Sequence, residues 1–393
     1  MSESIVIVSA ARTPMGAFQG DFSSAAAHDL GAAAIRAAIE RAGVPGDAVG
    51  QVLMGNVLMA GQGQAPARQA AMKAGLPKST GAITVSKICG SGMQTAMFAH
   101  DMLLAGTHDV IVAGGMESMT NAPYLMLKGR GGYRMGHERI FDHMTLDGLE
   151  DAYEPGRAMG TFGEDCAAKY KFTREAQDAF ATASVMRAKA ATESGAFAAE
   201  ITPVTVKNRT GEAVISIDEG PGKAKVEKIP LLKPAFKKDG TVTAASSSSI
   251  NDGAAAMVLM RESTATQFGG RPIARLVGHA VHSHEPAWFT TAPIGAAQKL
   301  LAKMGWKVSD VDLWEVNEAF SVVPMALMED LKVPHDIVNV NGGGLVLGHP
   351  IGASGARIMV TLIHALKARG GKRGVATLCI GGGEATAVAI ELL

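Results

Sequence analysis

The sequence predicts an α/β protein built from two similar halves, with one long excursion leaving the first. Three observations predict it: an internal repeat, apolar strand patterns alternating with helical ones, and glycine-rich turns where those strands end. The stretch AGVPGDAVGQVLMGNV (42–57) returns as MGWKVSDVDLWEVNEA (304–319). Gly43 maps to Gly305, a shift of 262, and Asn56 to Asn317, a shift of 261. Gly92 of CGSG maps to Gly355 of GASG, a shift of 263, so the offset stays nearly constant.

Within the first copy, the alternating run AITVSKI predicts a strand leading into CGSG, and SGMQTAMFAHDMLLAG the helix after it. DVIVAGGME is the next short apolar strand and ends in glycines. The second copy follows the same course: GASG opens a helix, RGVATLCIGGGE is the strand, and ATAVAIELL closes the chain. The counterpart of that last strand is GAAAMVLMRE, Gly253 to Glu262, displaced by about 120 residues. The displacement locates an insertion rich in charge and turn residues, expected to lie over the face where the strands end. The expected organisation is a first half of 1–117 with 243–269, an inserted lobe of 118–242, and a second half of 270–393.

Composition narrows the function. With 37 basic against 37 acidic residues and no block of like charge, nothing favours nucleic acid or an anionic membrane as partner. The opening MSESIVIVSAARTP has no basic leader region, and no run of about 18 apolar residues occurs, so a cytoplasmic protein is expected. Three scattered cysteines without CxxC spacing suggest neither a disulfide framework nor a zinc site. HAVHSH, with His279, His282 and His284, lacks HExxH spacing and alternates between strand faces, so no metal site is expected there. The absence of G-x-G-x-x-G and Walker A sequences argues against nicotinamide, flavin or nucleoside triphosphate chemistry.

Four residues at strand ends carry the candidate chemistry. Cys89, at a strand end and a helix start, lies where unpaired N–H groups and the helix dipole lower a thiol pKa. The glycine after it permits a cramped turn of the nucleophile-elbow kind; the plain alternative is a buried, inert thiol. His349, in NVNGGGLVLGHPIGASG, is a candidate base or simply a turn histidine. By the 263 offset it corresponds to Ser86, and Gly352 to Cys89, so the His and Cys loops are equivalent positions expected to face each other across a crevice. Cys379 ends the strand RGVATLCIGGG, and Asn317 ends a strand in WEVNEAF, where capping a helix is the alternative.

Over its whole length the chain resembles the thiolases, the family of acetyl-CoA acetyltransferases and 3-ketoacyl-CoA thiolases. The pieces that carry the resemblance are CGSGM, AGGMESM, MGTFGED, TVTAASSSSINDGAAA, NEAF, NGGGLVLGHPIGASG and CIGGGEA, in that order. It implies a thiolase fold: two duplicated βαβαβαββ halves in a five-layer αβαβα arrangement, with an inserted loop domain that cradles coenzyme A. It further implies Cys89 as the acylated nucleophile, His349 as its base and Cys379 as the group exchanging the α-proton of the second acyl group. Asn317, through a water, and His349 would stabilise the thioester oxyanion or enolate, and the N–H groups of Cys89 and Gly381 would form a second oxyanion hole. Leu149, Met159, Phe236, Ala244, Ser248, Ser249, Ala319 and Phe320 would contact CoA. CoA enters as substrate and product, with no tightly bound cofactor, and the implied assembly is a homotetramer, a dimer of dimers.

The chain departs from the family in places. Ser247, Ser248 and Ser249 stand where ASG is usual, and Ser248 keeps the hydroxyl that relatives point at pantetheine. Pro221 stands where some bacterial relatives carry an adenine-side arginine, leaving Lys223, Lys225 or Lys228 to meet CoA phosphates, or merely to be solvated. GPGKAKV lacks the tyrosine of potassium-activated relatives, and Phe289 in EPAWFTTAP falls at an acyl-pocket position where a bulky ring favours short chains. The expected activity is acetyl-CoA C-acetyltransferase: condensation of two acetyl-CoA to acetoacetyl-CoA plus CoA, and the reverse thiolysis. The rivals are a longer-chain 3-ketoacyl-CoA thiolase and, from another class, a non-catalytic acyl-CoA or lipid-binding protein.

Overall fold

The computed structural model describes residues 3–208 and 211–393. Its first half runs β1 (Ile5–Arg12), β2 (Gly16–Ala17), α1 (Ala27–Ala42), β3 (Gln51–Gly55), α2 (Pro66–Lys73), β4 (Gly81–Val85), α3 (Ser91–Leu104) and β5 (Val110–Ser118). The excursion holds β6 (Tyr124–Leu125), β7 (Phe141–Asp142), α4 (Met159–Tyr170), α5 (Arg174–Glu193), β8 (Val204–Asn208), β9 (Gly211–Ile215) and α6 (Glu219–Lys223). The chain returns through β10 (Asn251–Arg261) and α7 (Glu262–Gln267). The second half is β11 (Ala274–Ser283), α8 (Ala292–Met304), β12 (Leu313–Val316), α9 (Val322–Leu331), α10 (Gly344–Leu347), α11 (Ile351–Arg369), β13 (Arg373–Ile380) and β14 (Glu384–Leu392).

The repeat read from the sequence is a repeat of structure. Both α1 and α8 stop at a left-handed glycine, Gly43 at φ 64° and Gly305 at φ 66°, and each is followed by a short 3-10 turn and a strand. A residue with a Cβ would be strained in that conformation. In one half β3 lies parallel to β5, which is antiparallel to β10, itself antiparallel to β1. In the other, β12, β13, β14 and β11 repeat these relations in the same sequence. The halves are not separate sheets: β1 and β11 pair through Val6 with Arg275 and Ile7 with Ala274, giving one order, β12-β13-β14-β11-β1-β10-β5-β3-β4.

Three apolar layers hold this arrangement together. The central one joins Met93, Met97 and Leu103 of α3, Ile358, Leu362 and Leu366 of α11, and inward residues of both halves' strands such as Leu53, Met257, Leu378 and Ile390. Helix α11 is buried along nearly its whole length, as a helix flanked by sheets must be. The outer layers place α1 and α2 on one side and α8 and α9 on the other, completing αβαβα. The excursion is tied down by buried charge: Arg12 of β1 donates from Nε to Glu200 at 2.5 Å and from Nη1 and Nη2 to Asp218 at 2.7 and 2.8 Å.

Candidate active site

The two helices that start at the glycine motifs meet at their first turns. A Cβ added at Gly92 of α3 would lie 2.9 Å from the backbone N of Ala356 and the carbonyl oxygen of Gly352. One added at Gly355 of α11 would meet the backbone N and side chain of Met93 inside 3.0 Å. These are the residues related by the 263 shift, so the repeat places glycine against glycine where the halves touch. That approach brings Cys89, just before α3, and His349, just before α11, to the lining of one small cavity.

The cavity has a volume of about 60 Å³. It is lined by Cys89, His349, Cys379 and Gly381, with Leu149, Met159, Ser248, Phe289, Ala319 and Phe320 among the surrounding walls. The excursion supplies Leu149 and Met159, which matches its expected position over the strand ends. A wider groove of about 410 Å³ lies beyond the serine loop, lined by Ala244, Ser249, Val185, Leu345 and Val346 and by all three candidate lysines, Lys223, Lys225 and Lys228. Lys223 is paired with Glu219. Of the expected contact residues, Phe236 lines neither space; its ring packs edge-on against Phe320, centroids 6.0 Å apart. Asn317 is buried behind the wall, its Nδ2 3.4 Å from His349 Nδ1.

Local geometry at Cys89 differs from the sequence expectation in two ways. The cramped turn is carried by Ile88, which sits at φ 45°, a left-handed conformation costing a β-branched residue about 1–2 kcal/mol. Gly90 is in ordinary right-handed geometry at φ −78°, and a Cβ there would displace the end of the Ile380 side chain. The turn is held by Ser91, whose Oγ accepts from Lys87 N at 2.8 Å and donates to the Ile88 carbonyl at 2.7 Å.

The second difference is electrostatic. A lowered thiol pKa was expected from the helix start, yet burial pushes the Cys89 thiol up to about 11. The N–H groups of Gly381 and Cys89 oppose this by donating to the sulfur, while the carboxyl of Glu117 adds to it. Desolvation beats the dipole because the sulfur is withdrawn among apolar walls, although Cys89 keeps partial exposure at the cavity. Burial, and then repulsion from Arg357, pushes His349 down to about 3. The resting pair is thus a neutral thiol beside a neutral imidazole. Alkylation of Cys89 by iodoacetamide, which needs the thiolate, is expected to accelerate about tenfold per pH unit between about pH 6 and 9. A rate already at its plateau near neutrality would show instead a preformed thiolate.

Hydrogen bonding sets the tautomer of His349. Ser354 Oγ donates its single proton to the Pro350 carbonyl at 2.9 Å and so must accept from His349 Nδ1 at 2.5 Å. Nδ1 therefore carries the proton, and Nε2, buried and without a partner among the described residues, keeps the lone pair a base needs. With Nδ1 protonated, the Asn317 amide nitrogen is a neighbour of the ring and not its partner.

Two residues that shape the site were not singled out from the sequence. Ser354 lies in the quoted GASG, one residue from the glycine used for the repeat. Glu117, the last residue of DVIVAGGME, is fully buried and accepts from Val57 N, Leu58 N, Asn56 Nδ2 and Gly352 N, tying the end of β3 to the first turn of α11. Burial raises its pKa to about 7 despite those donors. A buried carboxyl among glycines has no local sequence signal, because its partners lie 60 and 235 positions away. Cys379 is buried at the end of β13, its thiol pushed well above the ordinary range by burial. Cys166 is a buried thiol in α4.

Comparison with known proteins agrees with this geometry. The thiolase N-terminal domain family matches residues 5–263 and the thiolase C-terminal domain family residues 270–392. The acetyl-CoA acetyltransferase of Rhizobium meliloti (strain 1021) is 49% identical over 394 residues, 99% of each chain. The acetyl-CoA acetyltransferase of Escherichia coli (strain K12) is 50% identical over 390 residues, again 99% of each. The crystal structure of the Bacillus anthracis acetyl-CoA acetyltransferase superposes with a TM-score of 0.97 at 41% identity, covering 100% of this chain and 99% of that one. The Acat5 thiolase from Ascaris suum, solved in complex with coenzyme A, gives 0.94 at 41% identity over 100% of both chains. Duplicated halves, glycine-to-glycine contact and a shared Cys–His–Cys cavity, found in a chain matched end to end by these proteins, place it in the thiolase family.

Proposed function

We propose that this thiolase is an acetyl-CoA C-acetyltransferase, joining two acetyl-CoA into acetoacetyl-CoA plus CoA and running the reverse thiolysis. The observation that carries the reading is that Cys89, His349 and Cys379 line one cavity of about 60 Å³ closed by Phe289 and Phe320. That volume holds about four water-sized groups, enough for an acetyl group and little more. The names of the full-length relatives, and the CoA bound to the Ascaris thiolase, point the same way.

In the first half-reaction Cys89 Sγ attacks the thioester carbonyl as its proton passes to His349 Nε2. The tetrahedral oxyanion is met by the N–H groups of Cys89 and Gly381, donors of a kind worth about 3–4 kcal/mol each to such a transition state. The carbon–sulfur bond to CoA breaks, and Cys379 gives its proton to the departing CoA thiolate. What remains is acetyl-Cys89, an imidazolium and a Cys379 thiolate, which burial makes a strong base.

In the second half-reaction that thiolate removes the α-proton of a second acetyl-CoA. The imidazolium, and Asn317 through a water, stabilise the enolate. The carbanion attacks acetyl-Cys89, a carbon–carbon bond forms, and the released Cys89 sulfur recovers its proton from His349. All three groups return to their starting states.

The groove beside the serine loop suits the rest of CoA. Ser248 lines the cavity while Ser249 and Ala244 line the groove, which supports this loop as the passage for pantetheine, and Lys225 and Lys228 on the same groove support it as the place for phosphates. Segment 118–242 is then the CoA-binding lobe. Its exposed apolar residues Tyr124, Met126, Leu127 and Ile140 support a role in subunit contacts of a homotetramer. No described helix is long and apolar enough to cross a membrane. The test is thiolysis against chain length: kcat/KM for acetoacetyl-CoA is expected to exceed that for the ten-carbon 3-ketoacyl-CoA by at least about 10-fold. Equal or better use of the ten-carbon substrate overturns the short-chain reading.

A further inference from the structure

The only group of metal-ligating side chains with a common focus among the described residues lies away from the catalytic cavity, where α3 meets β11. His100 and Asp101 of α3 and His279 of β11 each offer one ligand atom, and these atoms lie within 4.8 Å of one another. Asp101 Oδ1 is shared: it stands 3.0 Å from His100 Nδ1 and 2.9 Å from His279 Nε2. The imidazole rings are edge-on to each other, centroids 5.1 Å apart. Both rings are largely buried while the aspartate side chain is about half exposed, so the focus opens to solvent on the carboxylate side.

We propose that His100, Asp101 and His279 form a binding site for a divalent transition-metal ion of the zinc, cobalt or nickel class, which clamps the first half of the chain to the second. Two imidazoles and one carboxylate are a donor set for such ions and not for magnesium or calcium, which take oxygen ligands. Ligand atoms about 2.0–2.1 Å from a tetrahedral ion stand about 3.4 Å apart. The two spacings to Asp101 Oδ1, 2.9 and 3.0 Å, therefore need to widen by a few tenths of an ångström, and the third, between the two imidazole nitrogens, lies within 4.8 Å and closes by rotation of the rings. Solvent would complete the coordination.

The Asp101 carboxylate supplies the negative charge at the focus. The opposing charge comes from a third element: Lys303 of α8 hydrogen-bonds the His279 carbonyl at 3.2 Å and repels a cation. The Asp101 carboxylate, with its oxygen at the focus, offsets that ammonium. His282 and His284 take no part. They lie on the other face of β11, where their rings contact each other at 5.2 Å, so the HAVHSH run is divided between the two faces of its strand.

The consequence would be mechanical. Helix α3 begins two residues after Cys89, and β11 opens the second half, so a metal here would fasten the nucleophile's helix to the opposite half at its far end. Binding to the folded state alone raises the unfolding temperature.

The test uses untagged, full-length protein carboxymethylated at Cys89, which removes the cavity thiol as a competing ligand. After equilibration with zinc and desalting, unsubstituted protein is expected to retain about one zinc per chain and to gain in unfolding temperature. His279→Gln and His100→Gln are expected to retain none. Before alkylation, and without metal, both should match the parent in thiolysis and in unfolding temperature. Zinc retained equally by parent and variants, or by none of them, overturns the proposal. Cobalt(II) gives a check that needs no variant. Visible d–d bands without thiolate charge-transfer absorption support the His–Asp site, and either charge-transfer bands or no bands at all refute it.

Discussion

Mixed with acetyl-CoA and quenched rapidly, the unsubstituted protein is expected to gain about 42 Da on the peptide that carries Cys89, and a Cys89→Ala protein to gain nothing. Loss of turnover should be at least about 10,000-fold, the scale on which removing a covalent nucleophile acts even where the rest of the site survives. The alanine protein should remain folded, because Cys89 lines a cavity wall and its sulfur is held only by the N–H groups of Gly381 and of Cys89 itself. This experiment separates the acyltransferase reading from the non-catalytic acyl-CoA binder, which would bind CoA and show no adduct in either protein. An adduct that persisted in Cys89→Ala would move the nucleophile elsewhere, and Cys379 would be the first place to look.

Gly355→Ala is expected to damage the site strongly although it touches none of the reacting groups. Its Cβ would be forced against the backbone N of Met93, and backbone cannot move aside as a flexible side-chain end can. Overpacking of this kind costs up to about 3 kcal/mol, read as a lower urea midpoint. The loss of activity should exceed the loss of folded protein, since the strain is relieved by pushing the first turns of α3 and α11 apart. Cys89 and His349 are attached directly to those turns, and a displacement of about 1 Å in a catalytic pair costs on the order of 100-fold. Gly131→Ala, where an added Cβ meets nothing within 4 Å, is the matching control and should leave both quantities unchanged. Equal losses in the two variants would show that the helix-to-helix contact does not position the pair.

Most of the site was legible because a duplicated chain records its tertiary contacts as a one-dimensional offset. The shift of 263 that pairs Gly92 with Gly355 is also the symmetry that packs Gly92 against Ala356 and Gly355 against Met93, so matching motifs marked the place where the halves meet. Asn317 and Cys379 could be placed for a simpler reason: short apolar runs ending in glycine or asparagine are strand ends, and in layered α/β proteins strand ends gather. The excursion was visible as a displacement of the repeat, and the residues it brings to the cavity, Leu149 and Met159, followed from family resemblance.

What the sequence by itself determined is therefore the two halves, the excursion and the strand ends near Cys89, Cys379 and Asn317, because each is written in local pattern or in the repeat; His349, expected at a strand end, lies instead in the loop between α10 and α11. Only the tertiary structure decided the charge states and the finer geometry. It moved the strain from glycine to Ile88, reversed the expected shift of the Cys89 thiol, fixed the proton on His349 Nδ1 through Ser354, and enlisted Glu117. It also joined His279 to His100 and Asp101, 178 positions away in the chain. The physical reason is common to all of these: desolvation and hydrogen bonding depend on what surrounds an atom in space, and those neighbours come from chain segments that no local pattern connects.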